Sequence, residues 1–139
     1  MRKIIPILFL AFISLTAMAQ EGAAKEEAVV SGPVMKFEKK SHGFGEIFVK
    51  DGKVSHEFKF INDGTEPLII SKAKGSCGCT VPKYPRGPIM PGEEASVKVV
   101  FNPKGKKGKI HKTVTLTYNS GVPGETKQKK ISIGAIVKQ

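Results

Sequence analysis

The feature that most constrains the fold of this 139-residue chain is a strict alternation of apolar and polar residues in short runs. In the segment Lys53–Asn62, Val54, His56, Phe58 and Phe60 would fall on one side and polar residues on the other. A period of two is that of a β-strand with one buried face. The segment is therefore predicted to be a half-buried strand.

Six further segments have the same character and are separated by turns rich in Gly, Pro and Asn. They are Met35–Lys39, Phe44–Val49, Pro67–Ala73, Ala95–Phe101, Val114–Tyr118 and Ile131–Val137. No segment has a helical period longer than two turns. About seven short strands at this spacing predict an all-β fold, a seven-stranded β-sandwich.

The first nineteen residues are predicted to be a secretory signal peptide. Arg2 and Lys3 form a positive start, an apolar stretch follows, and Ala17-Met18-Ala19 matches a signal peptidase site. Cleavage before Gln20 would leave a flexible leader at 20–33 and a sandwich domain at 34–139. The apolar stretch is too short to span a bilayer, and the residue directly after the cleavage site is Gln20, not the Cys that lipid attachment requires. The sequence thus predicts a periplasmic or secreted protein that is neither membrane-spanning nor lipid-anchored.

Catalytic motifs are missing from the sequence. There is no Gly-x-Ser-x-Gly, no His-Glu-x-x-His and no phosphate-binding glycine loop, and the carboxylates are scattered singly or at turns. We therefore expect a protein that is not an enzyme and has no cofactor.

The most reactive feature is Cys77-Gly78-Cys79, which contains both cysteines of the chain. Two thiols at this spacing can form a disulfide, bind a soft metal or stay reduced as small packed groups. Export favours the oxidised form. Closing so small a loop removes only about 1.5 kcal/mol of chain entropy, so a bridge here would contribute little as a staple. A structural pair and a thiol–disulfide redox site both remain open.

A metal site is the third alternative for the cysteines. Zinc needs four ligands, and the histidines are scattered. Copper(I) accepts two thiolates and a thioether, so Cys77, Cys79 and Met90 form a candidate site. His56 is expected in the core or at its boundary, and His111 on the surface.

A lysine-rich segment makes the chain strongly basic, with a net charge of +11. The candidate anion-binding residues, expected to crowd one hairpin, are Lys104, Lys106, Lys107, Lys109 and Lys112. A second group is expected to crowd another hairpin: Lys127, Lys129 and Lys130. In an exported protein the natural partners are an acidic protein or an anionic envelope surface. Nucleic acid is not expected, because aromatic residues are not interleaved with the lysines. The alternative is that these lysines only solubilise the domain and protect its edge strands.

Four prolines recur every third residue: Pro82, Pro85, Pro88 and Pro91. This spacing matches the polyproline II turn. It predicts a peptide-binding face or a stiff crossover between the two sheets, and the crossover is favoured. Pro91-Gly92 is predicted to be the turn that opens the next strand.

The sequence resembles a bacterial family of secreted domains of unknown function (domain of unknown function 1573). The resemblance rests on Phe44-Gly45-Glu46-Ile47, on the spacing from Val54 to Gly64, and on Cys-Gly-Cys-Thr at 77–80 after Pro-Leu-Ile-Ile at 67–70. Pro91-Gly92 before a strand ending in Phe101, and Ile-Gly-Ala-Ile-Val at 133–137, also fit. That family is similar to Hydin-type and PapD-type immunoglobulin-like domains.

The resemblance implies a seven-stranded immunoglobulin-like sandwich that acts as an interaction module, of a kind common in exported proteins of Bacteroidetes-like bacteria. It supplies no catalytic residues. It also implies that Cys77 and Cys79 are a family feature. The expected function is therefore a non-enzymatic exported module that binds protein or envelope surfaces, with a redox or copper(I) site at the cysteines as the alternative.

Overall fold

The computed structural model describes residues 31–139, and these residues form eight β-strands. The strands are β1 (Met35–Phe37), β2 (Ser41–Phe48), β3 (Val54–Asn62), β4 (Ile70–Gly75), β5 (Thr80–Lys83), β6 (Glu94–Phe101), β7 (Gly108–Asn119) and β8 (Thr126–Lys138). One 3-10 turn at Val49–Asp51 follows β2. The predicted signal peptide and most of the predicted leader lie outside the described residues. Within residues 31–139, no helix has the length and apolar character needed to cross a membrane.

The strands form two four-stranded sheets packed face to face. The first sheet has the order β1-β3-β6-β5 and the second has the order β2-β8-β7-β4. All neighbouring strands are antiparallel except β2 and β8, which run parallel. The predicted all-β sandwich is confirmed.

The core lies between the sheets and is built from the alternating residues. Phe58 and Phe60 of β3 are buried, while Ser55, Glu57 and Lys59, which point to the opposite side of the strand, are exposed. The same alternation buries residues of the other long strands: Val97, Val99, Phe101, Val114, Leu116, Tyr118, Ile131, Ile133 and Val137. Burial of one face of each sheet is the main source of stability in such a fold.

One buried polar side chain, Asn62, joins three loops at one end of the core. Its Nδ2 donates to the carbonyl oxygens of Glu66 and Ile89, at 2.8 and 2.9 Å. Its Oδ1 accepts from the backbone N–H groups of Val34 and Gly64, at 3.2 and 3.1 Å. Asn62 is fully buried, and these four bonds satisfy its amide completely.

The predicted number of strands was wrong, because the structure has eight and not seven. The additional strand is β5, a four-residue edge strand that pairs with β6. Its short length and Pro82 hide it in the sequence, since proline cannot donate to a sheet ladder. At an edge, however, a missing donor is tolerated.

The favoured interpretation of the proline-rich segment, a crossover between sheets, was also wrong. Residues 84–93 connect β5 and β6, which are neighbours in the first sheet. The chain instead changes sheets between β4 and β5, through the four residues Ser76–Cys79. The predicted turn at Pro91-Gly92 is confirmed: the N–H of Glu93 donates to the carbonyl of Met90 at 2.9 Å, and Gly92 has φ of 80°.

Candidate functional site

The short link from β4 to β5 places both cysteines at a corner where the chain passes between the sheets. Cys77 and Cys79 form a disulfide with a Cα–Cα distance of 5.4 Å. The expected oxidised pair is therefore what the structure contains. Both side chains are half-buried, and Gly78 between them is exposed, so the corner faces solvent.

Hydrogen bonds from distant strands hold this corner in place. The N–H of Ser76 donates to the carbonyl of Thr113 at 2.8 Å, and the Ser76 hydroxyl accepts from the N–H of Thr113 at 3.2 Å. The carbonyl of Cys79 accepts from the N–H of Asn102 at 2.9 Å. The disulfide thus sits on a backbone anchored to both sheets.

Gly75 makes this corner sterically possible. A Cβ at this position would collide with the carbonyl oxygen of Thr80 and lie 3.2 Å from the carbonyl oxygen of Cys77. The backbone on the two sides of the link therefore approaches more closely than any other residue would allow.

A buried hydroxyl faces the disulfide from the core side. Thr80 is 3% exposed, and its Oγ1 lies 4.0 Å from Cys77 Sγ and 3.9 Å from Cys79 Sγ. Within residues 31–139, the Thr80 hydroxyl has hydrogen-bond contacts with these two sulfurs. The position of Thr80 is fixed by its own N–H, which donates to the carbonyl of Cys77 at 3.2 Å.

A groove of about 350 Å³ opens beside Cys79 on the outer side of the first sheet. Val81 of β5 and Val100 of β6 form its apolar part, and Lys53 and Lys83 also line it. Val81 is 50% exposed. The disulfide therefore adjoins a solvent-accessible depression that is partly apolar and bordered by positive charge.

The structure does not bring Met90 to the cysteines. Met90 precedes β6 at the Asn62 end of the first sheet, whereas Cys79 contacts Asn102 just after β6. The eight residues of β6 separate the two positions, roughly 25 Å at about 3.3 Å per residue. Across the described residues, no group of three or more His, Cys, Asp or Glu could hold a metal ion.

Two histidines stack on each other at the side of the sandwich where β2 and β3 face each other. The rings of His42 and His56 are 3.6 Å apart and nearly parallel, and Phe44 and Phe58 pack edge-on against them. Burial lowers the pKa of His56 from its ordinary 6.5, and the charges of His42 and Lys39 lower that pKa further, opposed by Glu57. His56 is half-buried and His111 is exposed, as predicted, but sequence reasoning missed the stack.

The lysines predicted as one anion-binding cluster do not share one surface. Lys104, Lys106 and Lys107 lie on the connection between β6 and β7, which changes sheets and is not a hairpin. Lys109 is exposed on the outer face of β7, whereas Lys112 shares the inward face with Val114 and is half-buried. The alternation of the strand sends these last two side chains in opposite directions.

The structure instead reveals a different basic surface. Strands β4, β7 and β8 lie side by side and contain eight lysines and no acidic residue. We call the outer side of these strands, with Lys72, Lys74, Lys109 and Lys130, the basic face; all four side chains are exposed. In the sheet register Thr115 lies between Lys74 and Lys130. The absence of acidic residues from three predicted strands was the sequence signal for this face.

Comparison with known proteins identifies the family and the fold. A family model described as "Protein of unknown function (DUF1573)" matches residues 35–137. A comparison with curated protein sequences finds no match.

Similar solved structures include the following three. A protein of unknown function from Porphyromonas gingivalis W83 aligns with a TM-score of 0.63 and 14% identity, over 82% of this chain and 51% of that one. The human CEP192 ASH/PapD-like domain 7 aligns with a TM-score of 0.61 and 11% identity, over 78% and 87% of the two chains. The VesB protease of Vibrio cholerae aligns with a TM-score of 0.58 and 16% identity, over 73% of this chain and 31% of the protease.

These similarities establish the fold alone, because all three identities are low. The chain spans about half the length of the Porphyromonas gingivalis protein. The observed sandwich is therefore immunoglobulin-like and PapD-like, as the resemblance implied.

Proposed function

The chain belongs to the DUF1573 family of proteins of unknown function, and on that premise we propose that it is a non-enzymatic interaction module whose basic face binds an acidic protein or an anionic envelope surface. One observation carries the proposal: three adjacent strands present lysines with no acidic side chain among them. A surface of one sign attracts partners of the opposite sign and orients their approach.

The composition of the basic face suits a polar, anionic partner. On its central strand, Thr115 lies between Lys74 and Lys130, and Thr117 lies between Lys72 and Gln128. Lys74 and Lys130 stand two strands apart, about 10 Å at the usual strand spacing of about 4.8 Å. Hydroxyl donors between ammonium groups can bind phosphate or carboxylate oxygens.

The family resemblance implies an interaction module, and the PapD-like fold, shared with the CEP192 domain, supports that role. We further propose that the domain acts outside the cytoplasm, after removal of the signal peptide predicted at 1–19. Sequencing the N-terminus of protein recovered from the periplasm or medium tests this location, with Gln20 as the expected first residue.

Paired charge reversals test the basic face. The mature protein carrying K74E and K130E is compared with a control carrying K59E and K98E, two exposed lysines of the first sheet with the same change in net charge. Binding to vesicles with anionic phospholipid and to polyglutamate is measured at several salt concentrations. We expect the first variant to lose about tenfold or more in affinity and the control to lose about threefold or less.

The vesicle and polyglutamate arms separate an envelope surface from an acidic protein as the partner. Equal losses in the two variants would show that only net charge matters and would contradict a defined face. Binding that does not weaken with salt would also contradict the proposal, because exposed charges are screened beyond about 8 Å at physiological ionic strength.

A second candidate function is thiol–disulfide exchange at Cys77 and Cys79. The observation that favours it is the half-buried disulfide at a solvent-facing corner, next to a groove that could admit a thiol. The test is a titration of the mature protein in glutathione redox buffers, with the free thiols counted at each ratio. Reversible formation of two thiols in the folded protein is expected, and a bridge that cannot be reduced without unfolding would refute this function.

A further inference from the structure

The two sulfurs of the disulfide differ in what surrounds them. Cys79 lines the groove on the outer side of the first sheet, together with Val81, Val100, Lys53 and Lys83. Cys77 does not line that groove, although the Thr80 hydroxyl lies at similar distances from both sulfurs. A molecule that enters the groove therefore meets Cys79 and not Cys77.

We propose that thiols carrying a nearby carboxylate bind in this groove and attack Cys79, while Cys77 leaves towards the hydroxyl of Thr80. This inference rests on the thiol–disulfide function proposed above and adds to it the attacked sulfur, the substrate class and a positioning residue.

The chemistry of the exchange follows from these positions. A substrate thiolate forms a bond to Cys79 Sγ as the bond between the two protein sulfurs breaks, and the electron pair leaves on Cys77 as a thiolate. A second substrate thiolate then attacks the substrate sulfur of the mixed disulfide and releases Cys79. Two thiols have been oxidised to one disulfide, and the protein pair has gained two electrons and, on protonation, two protons.

Thr80 is placed to stabilise the leaving group. Its hydroxyl is buried and lies about 4 Å from each sulfur. A disulfide sulfur is a weak hydrogen-bond acceptor, whereas a thiolate accepts a strong hydrogen bond from a hydroxyl group. The hydroxyl therefore favours the reduced, charged state of Cys77 over the bridged state.

The groove selects the class of thiol. The two lysines favour an anion, and the two valines favour a short apolar part beside the sulfur. Glutathione and a cysteine in an acidic peptide share this chemistry. Cysteamine, a small thiol with a positive charge, lacks it.

The first test measures how fast each thiol reduces the disulfide of the mature protein. Glutathione, an acidic cysteine-containing peptide and cysteamine are compared after correction for their thiolate fractions. We expect the anionic thiols to react about three- to tenfold faster than cysteamine, which is the size of effect that two partly exposed charges give. The variant K53Q/K83Q should lose this preference, and the control K59Q/K98Q should keep it.

The glutathione and peptide arms show whether the site admits only small thiols or also protein cysteines. Equal rates for glutathione and cysteamine in the wild-type protein would overturn the assignment of substrate class. A preference that survives in K53Q/K83Q would overturn the role of the groove.

The second test concerns Thr80. In a Cys79→Ser background, the thiolate of Cys77 is followed by its ultraviolet absorbance as a function of pH. We expect Thr80→Val to raise the pH midpoint and Thr80→Ser to restore it. In the two-cysteine protein, Thr80→Val should shift the equilibrium with glutathione towards the disulfide. Thr80→Ser, which keeps the hydroxyl, should have the wild-type equilibrium.

Unchanged midpoints and equilibria in Thr80→Val would overturn the role of the hydroxyl. If Thr80→Val does not fold, Thr80→Ala removes the same donor without adding a methyl group against the core. Reversible reduction with no effect of any groove or Thr80 variant would refute this inference alone, whereas an irreducible bridge would refute the thiol–disulfide function itself.

Discussion

At the scale of single residues, two positions hold the ends of the sandwich through their backbone contacts. The side-chain amide of Asn62 forms hydrogen bonds to backbone groups of three loops. Gly75 allows the chain to pass under the carbonyl of Thr80. Each residue does something that a close analogue cannot, so each can be tested by a small change.

Replacement of Asn62 by Asp should destabilise the domain strongly. The carboxylate keeps the acceptor but loses both donors, and it places a buried negative charge against the carbonyl oxygens of Glu66 and Ile89. We expect a loss of about 3 kcal/mol or more in the free energy of unfolding at neutral pH. Asn119, which makes similar bonds at a half-buried site, is the control. Equal losses in urea denaturation of N62D and N119D would contradict this explanation.

Replacement of Gly75 by Ala should cost about 1–3 kcal/mol, because the added methyl group forces the backbone around Thr80 to move. Gly43 of β2 is the matched control, since nothing lies within 4 Å of a Cβ built there. Urea unfolding at unchanged m-value measures both variants. A G75A protein as stable as G43A would show that the corner can relax without cost.

The pH dependence of stability should report the His42–His56 stack. The pKa of His56 is lowered in the folded state, so below about 6.5 the unfolded chain binds more protons than the folded protein. The contribution of His56 is therefore constant above pH 6.5, and the free energy of unfolding falls as the pH drops below it. Replacement by Phe should remove this slope while keeping an aromatic ring in the stack.

Urea denaturation between pH 7.5 and 5 measures this slope. The control is His111→Gln, a change at an exposed site that should leave the slope as it is in the wild-type protein. A slope that persists in His56→Phe would show that His56 is not its source.

At the scale of elements, the link from β4 to β5 should be stable without its disulfide. The bridge closes a very short loop, and the corner keeps its hydrogen bonds to Thr113 and Asn102 when the sulfurs are replaced. The double variant C77S/C79S should therefore lose less than about 1.5 kcal/mol. Thermal and urea denaturation of both proteins check this, and a much larger loss would identify the pair as a structural staple.

Most of the strands were predictable from the sequence because one face of each is buried and the period of two is visible. Strand β5 was not, because four residues with a proline carry no period and only the neighbouring β6 makes them a strand. The change of sheet at Ser76–Cys79 was hidden for the same reason: it depends on pairing partners far along the chain.

The cysteines of the candidate site were evident in the sequence, but their surroundings were not. Thr80 is adjacent in sequence, yet its orientation towards the sulfurs follows from the turn. Lys53, which precedes β3, and Val100 of β6 reach the groove from segments that are remote in sequence. Proximity in sequence did not predict which lysines share a surface. Alternate residues of a strand point to opposite faces, and this alternation separates Lys109 from Lys112.

At the scale of the whole molecule, the uneven distribution of lysines between the sheets has a consequence for orientation. The basic face covers the outer side of β4, β7 and β8, three of the four strands of the second sheet, while strands of the first sheet mix lysines with Glu57 and Glu94. The domain is thus an electric dipole directed across its thickness. Near an anionic layer, such a dipole experiences a torque that turns the second sheet towards the layer. The groove beside Cys79 opens on the outer side of the first sheet. It would then face away from the anionic layer, where soluble thiols can reach it.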